Sequence, residues 1–148
     1  MEIDEKLDIS DYIKVVENFN KAITHMKNVE QEIKNNTFMD DKDFLYGFYR
    51  AAMIKIYETA IEASWKIMQR WIKLNMDNKI HEKPKRELFR QSHQVGLIED
   101  PVIWWQFYEG RNKMAHTYHE DTAELVYTMA KDFEVPLNLF LEKLKDKV

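Results

Sequence analysis

Eight consecutive residues, Arg111-Asn112-Lys113-Met114-Ala115-His116-Thr117-Tyr118, gather a permanent cation, an amide, a titratable imidazole and a phenol. Arginine can bind two oxygens of one phosphate. Histidine can move a proton near neutral pH. Together they suit phosphate chemistry, with His116 transferring a proton and Arg111 stabilising negative charge. A helix start is expected just beyond Tyr118, and its unpaired N–H groups also favour anions.

The spacing constrains how these groups meet. On a helix, Arg111 and Tyr118 fall on nearly one face, and Asn112 and His116 on another. Arg111 and His116 are about 140° apart around the axis, so one straight helix does not aim both at a small target. Either the helix bends or ends between them, or a second copy of the chain completes the site. Taken alone, Arg-x4-His is a weak pattern. Its plainer reading is a helix-end histidine beside an arginine paired with some carboxylate.

The elements that must position these residues are helical. The first periodic stretch runs from Ser10 to Asn35, where Tyr12, Val16, Phe19, Ile23 and Met26 alternate steps of four and three. Asn35, Asn36 and Thr37 break it, and Asp40 or Asp41 can cap the next helix. That helix is expected over Asp41–Leu74. Leu45, Tyr49, Ala52, Ile56, Ala60, Ala63, Ile67 and Trp71 form its apolar stripe, widened by Tyr57, Ile61, Met68 and Ile72. An apolar surface this wide places the helix centrally, and its length would be about 50 Å. Residues Asn75–Lys83 read as a loop. Pro84 suits the first turn of a third helix and Gly96 its C-terminal cap. Asp100-Pro101 signals the start of a fourth helix, carrying Trp104, Trp105, Phe107 and Tyr108. A last helical run starts near Asp121, with Asp121 and Glu124 at capping-box spacing. Leu125, Met129 and Phe133 give its apolar side. Pro136 must kink or interrupt it before Leu137, Phe140, Leu141 and Leu144 resume the pattern. The expectation is an all-α bundle of about five helices.

Composition agrees. The chain has 148 residues, 45% of them hydrophobic, 13% aromatic and 32% charged, with only three glycines and three prolines. Such scarce turn-formers argue against a sandwich or barrel of many short strands, and the length fits one domain spanning residues 1–148. The net charge of −4 gives no overall pull toward nucleic acid or an anionic membrane, so any such contact must be local. Without cysteine there is no disulfide and no Cys-based metal site. No apolar run is long enough to span a membrane. Met1-Glu2-Ile3-Asp4 lacks the layout of a secretory leader, which makes the cytoplasm the default compartment.

The eight-residue segment matches the R-x4-H-x-Y motif of the HEPN superfamily, including an Asn after the Arg. Glu62-Ala63-Ser64-Trp65-Lys66 resembles the E-x-x-W-K signature of one branch. Pro84 through Arg90 to Gly96-Leu97-Ile98 resembles that branch's third helix and its exit. Trp104 stands seven residues before Arg111, where that branch has an aromatic. The branch is the nucleotidyltransferase substrate-binding family, and the resemblance covers about Tyr49 to Phe140. Two positions depart from its pattern: Gly110, where the family often has an acidic residue, and Ile56, where a basic one is expected.

The resemblance implies an up-and-down helical bundle that forms a homodimer, with two motifs facing a shared cleft. It implies a minimal nucleotidyltransferase, an antitoxin, as partner. It implies a metal-independent ribonuclease with Arg111 and His116 catalytic, Asn112 and Tyr118 positioning RNA, and no cofactor. The partner would silence it by adding AMP to Tyr118. Two other functions compete: a non-catalytic subunit that binds a nucleotide or polar substrate for its partner enzyme, and a helical dimerisation module.

Other residues have two readings each. Glu58 and Glu62, one turn apart, either orient Arg111 or His116 across the bundle or form a solvated face, with Glu62 and Lys66 as an i,i+4 pair. Lys79, Lys83, Lys85, Arg86 and Arg90 outnumber Glu82 and Glu87 by three. They either attract RNA phosphate or an acidic partner, or are simply a solvated face. Adjacent Trp104 and Trp105 cannot face the same core, so one is a candidate for an interface. Trp65 and Trp71 read as core. His119, three residues beyond His116, has no carboxylate pair suited to a metal, and His25, His81 and His93 read as ordinary polar positions.

Overall fold

The computed structural model describes residues 6–36, 40–116 and 119–148. These form six helices: α1 (Ser10–Asn35), α2 (Lys42–Asn75), α3 (Lys85–Gln94), α4 (Pro101–His116), α5 (Glu120–Asp132) and α6 (Glu134–Lys147), with a short 3-10 turn at Ile80–Glu82. Among the described residues there is no strand.

α1 buries Tyr12, Val16, Phe19, Ile23, Met26 and Val29, the stripe its spacing predicts. It packs on α2 and α6. Against α6, Asn20 and Asn138 exchange amide hydrogen bonds, both 2.9 Å. α2 is central as expected, touching α1, α3, α4 and α5.

The face α2 buries differs from the expected stripe. Tyr57, Ala60, Ile61, Ile67, Met68, Trp71 and Ile72 are buried, whereas Leu45, Tyr49, Ile56 and Ala63 are only half-buried and Ala52 is exposed. The buried face also takes in Arg50 and Ser64. Both find polar partners there. Arg50 Nη1 donates to Glu124 at 3.0 Å. The Ser64 hydroxyl donates to the Ala60 carbonyl at 2.7 Å and meets the Tyr12 hydroxyl at 2.7 Å. An apolar helix offers two equally regular series, and these long-range polar partners belong to only one of them.

Gly96 ends α3 with φ +81. The Leu97 N–H reaches the Ser92 carbonyl at 2.8 Å and the Gly96 N–H the His93 carbonyl at 3.0 Å, a complete Schellman pair. Pro84 stands one residue before α3, with extended backbone, as its N-cap. At α4, Asp100 Oδ1 accepts the Val102 N–H at 2.9 Å, the cap expected from Asp-Pro.

The last run is two helices, which makes six rather than five. The break is at Phe133, and Pro136 occupies the first turn of α6. Proline lacks the N–H that would bond the Asp132 carbonyl, so the ladder cannot continue through this point. Phe133 turns this corner into a packing centre. Its ring meets Phe107 at 5.0 Å, Trp104 at 5.2 Å, Tyr57 at 5.4 Å and Phe19 at 5.8 Å, all edge-on. The capping box expected at Asp121 and Glu124 is not formed. His119 precedes α5 as N-cap without a side-chain bond. Glu124 is drawn instead to α2, accepting from the Tyr46 hydroxyl at 2.7 Å and from Arg50. Leu125, expected on the apolar side, is exposed, and Ala123, Val126, Tyr127 and Ala130 are buried.

Candidate functional site

α2 and α4 bring the candidate residues together. Arg111 Nη2 donates to Glu62 Oε2 at 3.1 Å, and Nη1 donates to Asn112 Oδ1 at 3.2 Å. Lys66 Nζ lies 3.1 Å from the other Glu62 oxygen. Glu62 therefore does both things asked of it: it holds Arg111 across the bundle and pairs with Lys66 on its own helix. The hydrogen bond from Lys66, followed by the charges of Lys66 and Arg111, lowers the Glu62 carboxyl below its ordinary value against a modest desolvation. Glu58 does not join them. It pairs instead with Lys55 on its own helix, at 3.7 Å.

Arg111 is about one-third exposed, 32% of its side chain, so part of the guanidinium faces solvent. A planar fork fixed at one edge and open at the other suits an oxyanion.

α4 runs without a break through His116. Of the two arrangements open from the spacing, an end of the helix between Arg111 and His116 is thereby removed. The side chain of His116 and the whole of Tyr118 lie outside the described residues.

α4 is seated from behind by two contacts that the spacing did not reveal. The buried Tyr57 hydroxyl donates to the Phe107 carbonyl, one turn before Arg111, at 2.5 Å. Burial raises that phenol well above its usual value, so it stays a donor. Gly110 lies under Met129. A Cβ there would come within 2.6 Å of both the Sδ and Cε of Met129, which explains why no acidic residue stands before Arg111.

The tryptophans separate as adjacency requires. Trp104 is buried, 2% exposed, and Trp105 is half-buried. The basic segment also divides. Lys83 pairs with Asp77 at 2.5 Å and Arg90 with Glu87 at 2.5 Å, whereas Lys85 lies over the Trp65 ring at 4.1 Å and Arg86 over Trp105 at 4.5 Å. Trp71 is buried, while Trp65 is only half-buried. His93 Nδ1 lies 3.2 Å from the Ile98 carbonyl and His25 sits beside Tyr49, ordinary structural placements. Among the described residues, no group of three or more His, Asp or Glu is arranged to hold a metal ion. An apolar cleft of about 430 Å³, lined by Ile98, Ile103, Phe107, Met129 and Phe140 among others, opens on the face of α4 away from Trp105.

The family model described as nucleotidyltransferase substrate binding protein like matches residues 7–146. The chain belongs to this family. A Haemophilus influenzae protein named "Probable ribonuclease HepT" is 30% identical over 100 residues, 66% of this chain and 68% of its own length. A solved Haemophilus influenzae structure, described as revealing the fold of a substrate binding domain of a nucleotidyltransferase, superposes with a TM-score of 0.70 at 24% identity. It covers 88% of this chain and 98% of its own. The all-helical architecture is therefore that of a nucleotidyltransferase substrate-binding domain. No described helix is long and apolar enough to cross a membrane.

Proposed function

We propose that this chain is the HEPN subunit of a two-component pair with a minimal nucleotidyltransferase, and that it is a metal-independent ribonuclease silenced when AMP is added to Tyr118. The observation that carries the reading is the Arg111–Glu62 pair, 3.1 Å, which holds one edge of the guanidinium and leaves the other toward solvent, one turn before His116. Family membership and the ribonuclease name of a relative support it.

In this mechanism His116 takes the proton of an RNA 2′-hydroxyl. The 2′-oxygen attacks the adjacent phosphorus, a P–O2′ bond forms and the P–O5′ bond breaks. The leaving 5′-oxygen gains a proton, giving a 2′,3′-cyclic phosphate and a 5′-hydroxyl. Arg111 stabilises the charge on the phosphorane, with Asn112 and Tyr118 positioning the strand. Because α4 is continuous, a second copy of the chain is what brings an Arg111 and a His116 to one target. A homodimer at micromolar concentration is expected by light scattering, and a monomer would count against the site.

The decisive experiment is expression of the chain alone. Growth arrest and RNA fragments with cyclic-phosphate ends are expected. His116→Ala and Arg111→Ala should each abolish cleavage while leaving the helical circular dichroism and the melting temperature nearly unchanged, because neither change opens a cavity in the apolar core. A folded His116→Ala variant with full cleavage would sink the mechanism. A second reading is a non-catalytic substrate-binding subunit, favoured by the description of the solved structural neighbour. It predicts no growth arrest and a partner enzyme that needs this chain for activity.

A further inference from the structure

Two tryptophans flank the first turn of α3, each beneath a different cation. Lys85 Nζ lies 4.1 Å from the centroid of Trp65 and Arg86 Cζ lies 4.5 Å from that of Trp105. Lys66 also reaches Trp65, at 5.7 Å. Trp105 leans on Tyr108 with centroids 5.5 Å apart. All three rings are half-buried, so each is fixed by packing yet keeps surface toward solvent.

This band is continuous with the Arg111 site on both helices. On α4, Trp105, Tyr108 and Asn112 recur at steps of three and four, so they share one face. On α2, Trp65 and Lys66 follow within one turn or so of Glu62, the residue that holds Arg111. α3 supplies the cations between them.

The charge is local and unspent. Lys66, Lys85, Arg86 and Arg111 stand against Glu62, in a chain whose net charge is −4. Neighbouring cations of the same segment are taken up by carboxylates, Lys83 by Asp77 and Arg90 by Glu87. Among the described residues, Lys85 and Arg86 have no carboxylate partner and lie on indole rings instead. Glu109 and Lys113, one turn apart on α4, add no net charge.

Cations interleaved with aromatic rings match a ligand that has both phosphates and open base faces. A single strand of RNA has both. A duplex keeps its base faces stacked inside, and an acidic peptide would use the cations without the rings. We propose that this band is the track along which single-stranded RNA reaches Arg111. Bases stack on Trp65, Trp105 and the Arg86 guanidinium, and phosphates pair with Lys66, Lys85 and Arg111. The proposal takes its substrate class from the ribonuclease reading, but it is a statement about binding and can be tested separately from cleavage.

The test uses the full chain carrying His116→Ala, which prevents cleavage, and a fluorescein-labelled single-stranded oligouridylate read by anisotropy. Adding Lys85→Gln with Arg86→Gln breaks no ion pair, and circular dichroism checks the fold. The double variant should bind about tenfold or more weakly, and the slope of log affinity against log salt should shrink by about 1.4, the value for two lost contacts to a single strand. Trp105→Leu keeps apolar bulk and removes the platform. It should weaken binding by roughly tenfold and reduce the quenching of intrinsic fluorescence by the oligomer. Affinity and salt slope equal to the parent's would overturn the track. So would unchanged RNA affinity together with loss of modification by the nucleotidyltransferase, which would assign the band to a protein partner. Cleavage in the chain with His116 intact separates the two claims. If RNA binds through the band but is never cut, the ribonuclease reading fails and the track stands. If RNA is cut with a KM that the double variant leaves unaltered, the track fails and the reading stands.

Discussion

Arg111 and Glu62 are 49 positions apart in the chain and 3.1 Å apart in the fold, with the carboxylate shared by Lys66. The pair fixes one edge of the guanidinium. Glu62→Gln keeps the shape and removes the charge. Both partners are about one-third exposed, so the stability cost should stay within about 1 kcal/mol. If Arg111 works only when oriented, kcat for RNA cleavage should fall roughly ten- to a hundredfold with the melting temperature nearly constant. Unchanged kcat would make the pair a surface contact and nothing more.

Modification should act at Tyr118. An adenylyl group there adds phosphate charge close to where Arg111 would hold RNA, so it blocks the site by occupancy and by charge. Incubated with the cognate nucleotidyltransferase, ATP and Mg²⁺, the wild-type chain should gain one or more AMP units by intact mass. Tyr118→Phe should gain none and should remain toxic in the presence of the partner. Equal gain in both chains would place the acceptor elsewhere.

Gly110 is buried beneath Met129. Gly110→Glu must push the thioether aside and bring a carboxylate into an apolar contact between α4 and α5. A loss of about 2–4 kcal/mol is expected in urea unfolding. Gly110→Ala needs only the methionine to swing and gains helix propensity, so it should fall within about 1 kcal/mol of wild type. Wild-type stability in the Gly110→Glu variant would show that Met129 is not held there.

The connection from α2 to α3 should be acid-sensitive. Asp77, hydrogen-bonded by Lys83, Gln91 and the Lys79 amide, titrates at about 2 rather than 3.8. Glu87, held by Arg90 and Gln91, titrates at about 2 rather than 4.5. Both folded values lie below the unfolded ones. The stability they contribute is therefore complete above the unfolded values and is lost as pH falls through the folded ones. The melting temperature should hold down to about pH 5 and decline from there toward about pH 2. Asp77→Asn should make that decline shallower, and an unaltered acid slope would assign the sensitivity to other carboxylates.

Helix boundaries were legible because helical bonds and caps link residues within a few positions. The α1 stripe, the Asp100 cap and the left-handed Gly96 each depend on neighbours close in the chain. The motif around Arg111, Asn112, His116 and Tyr118, and with it the family, is equally local, because it is a run of eight residues. The face α2 buries was not legible. Its two apolar series are equally regular, and the choice rests on Glu124 and Tyr12, residues 74 and 52 positions from Arg50 and Ser64. The same long-range pull takes Glu124 out of its capping position. Tertiary structure alone decided that Glu62, and not Glu58, holds Arg111, since two carboxylates one turn apart differ only in which of them meets α4. It also seated Lys85 and Arg86 on Trp65 and Trp105, because a cation's partner depends on which helices close around it.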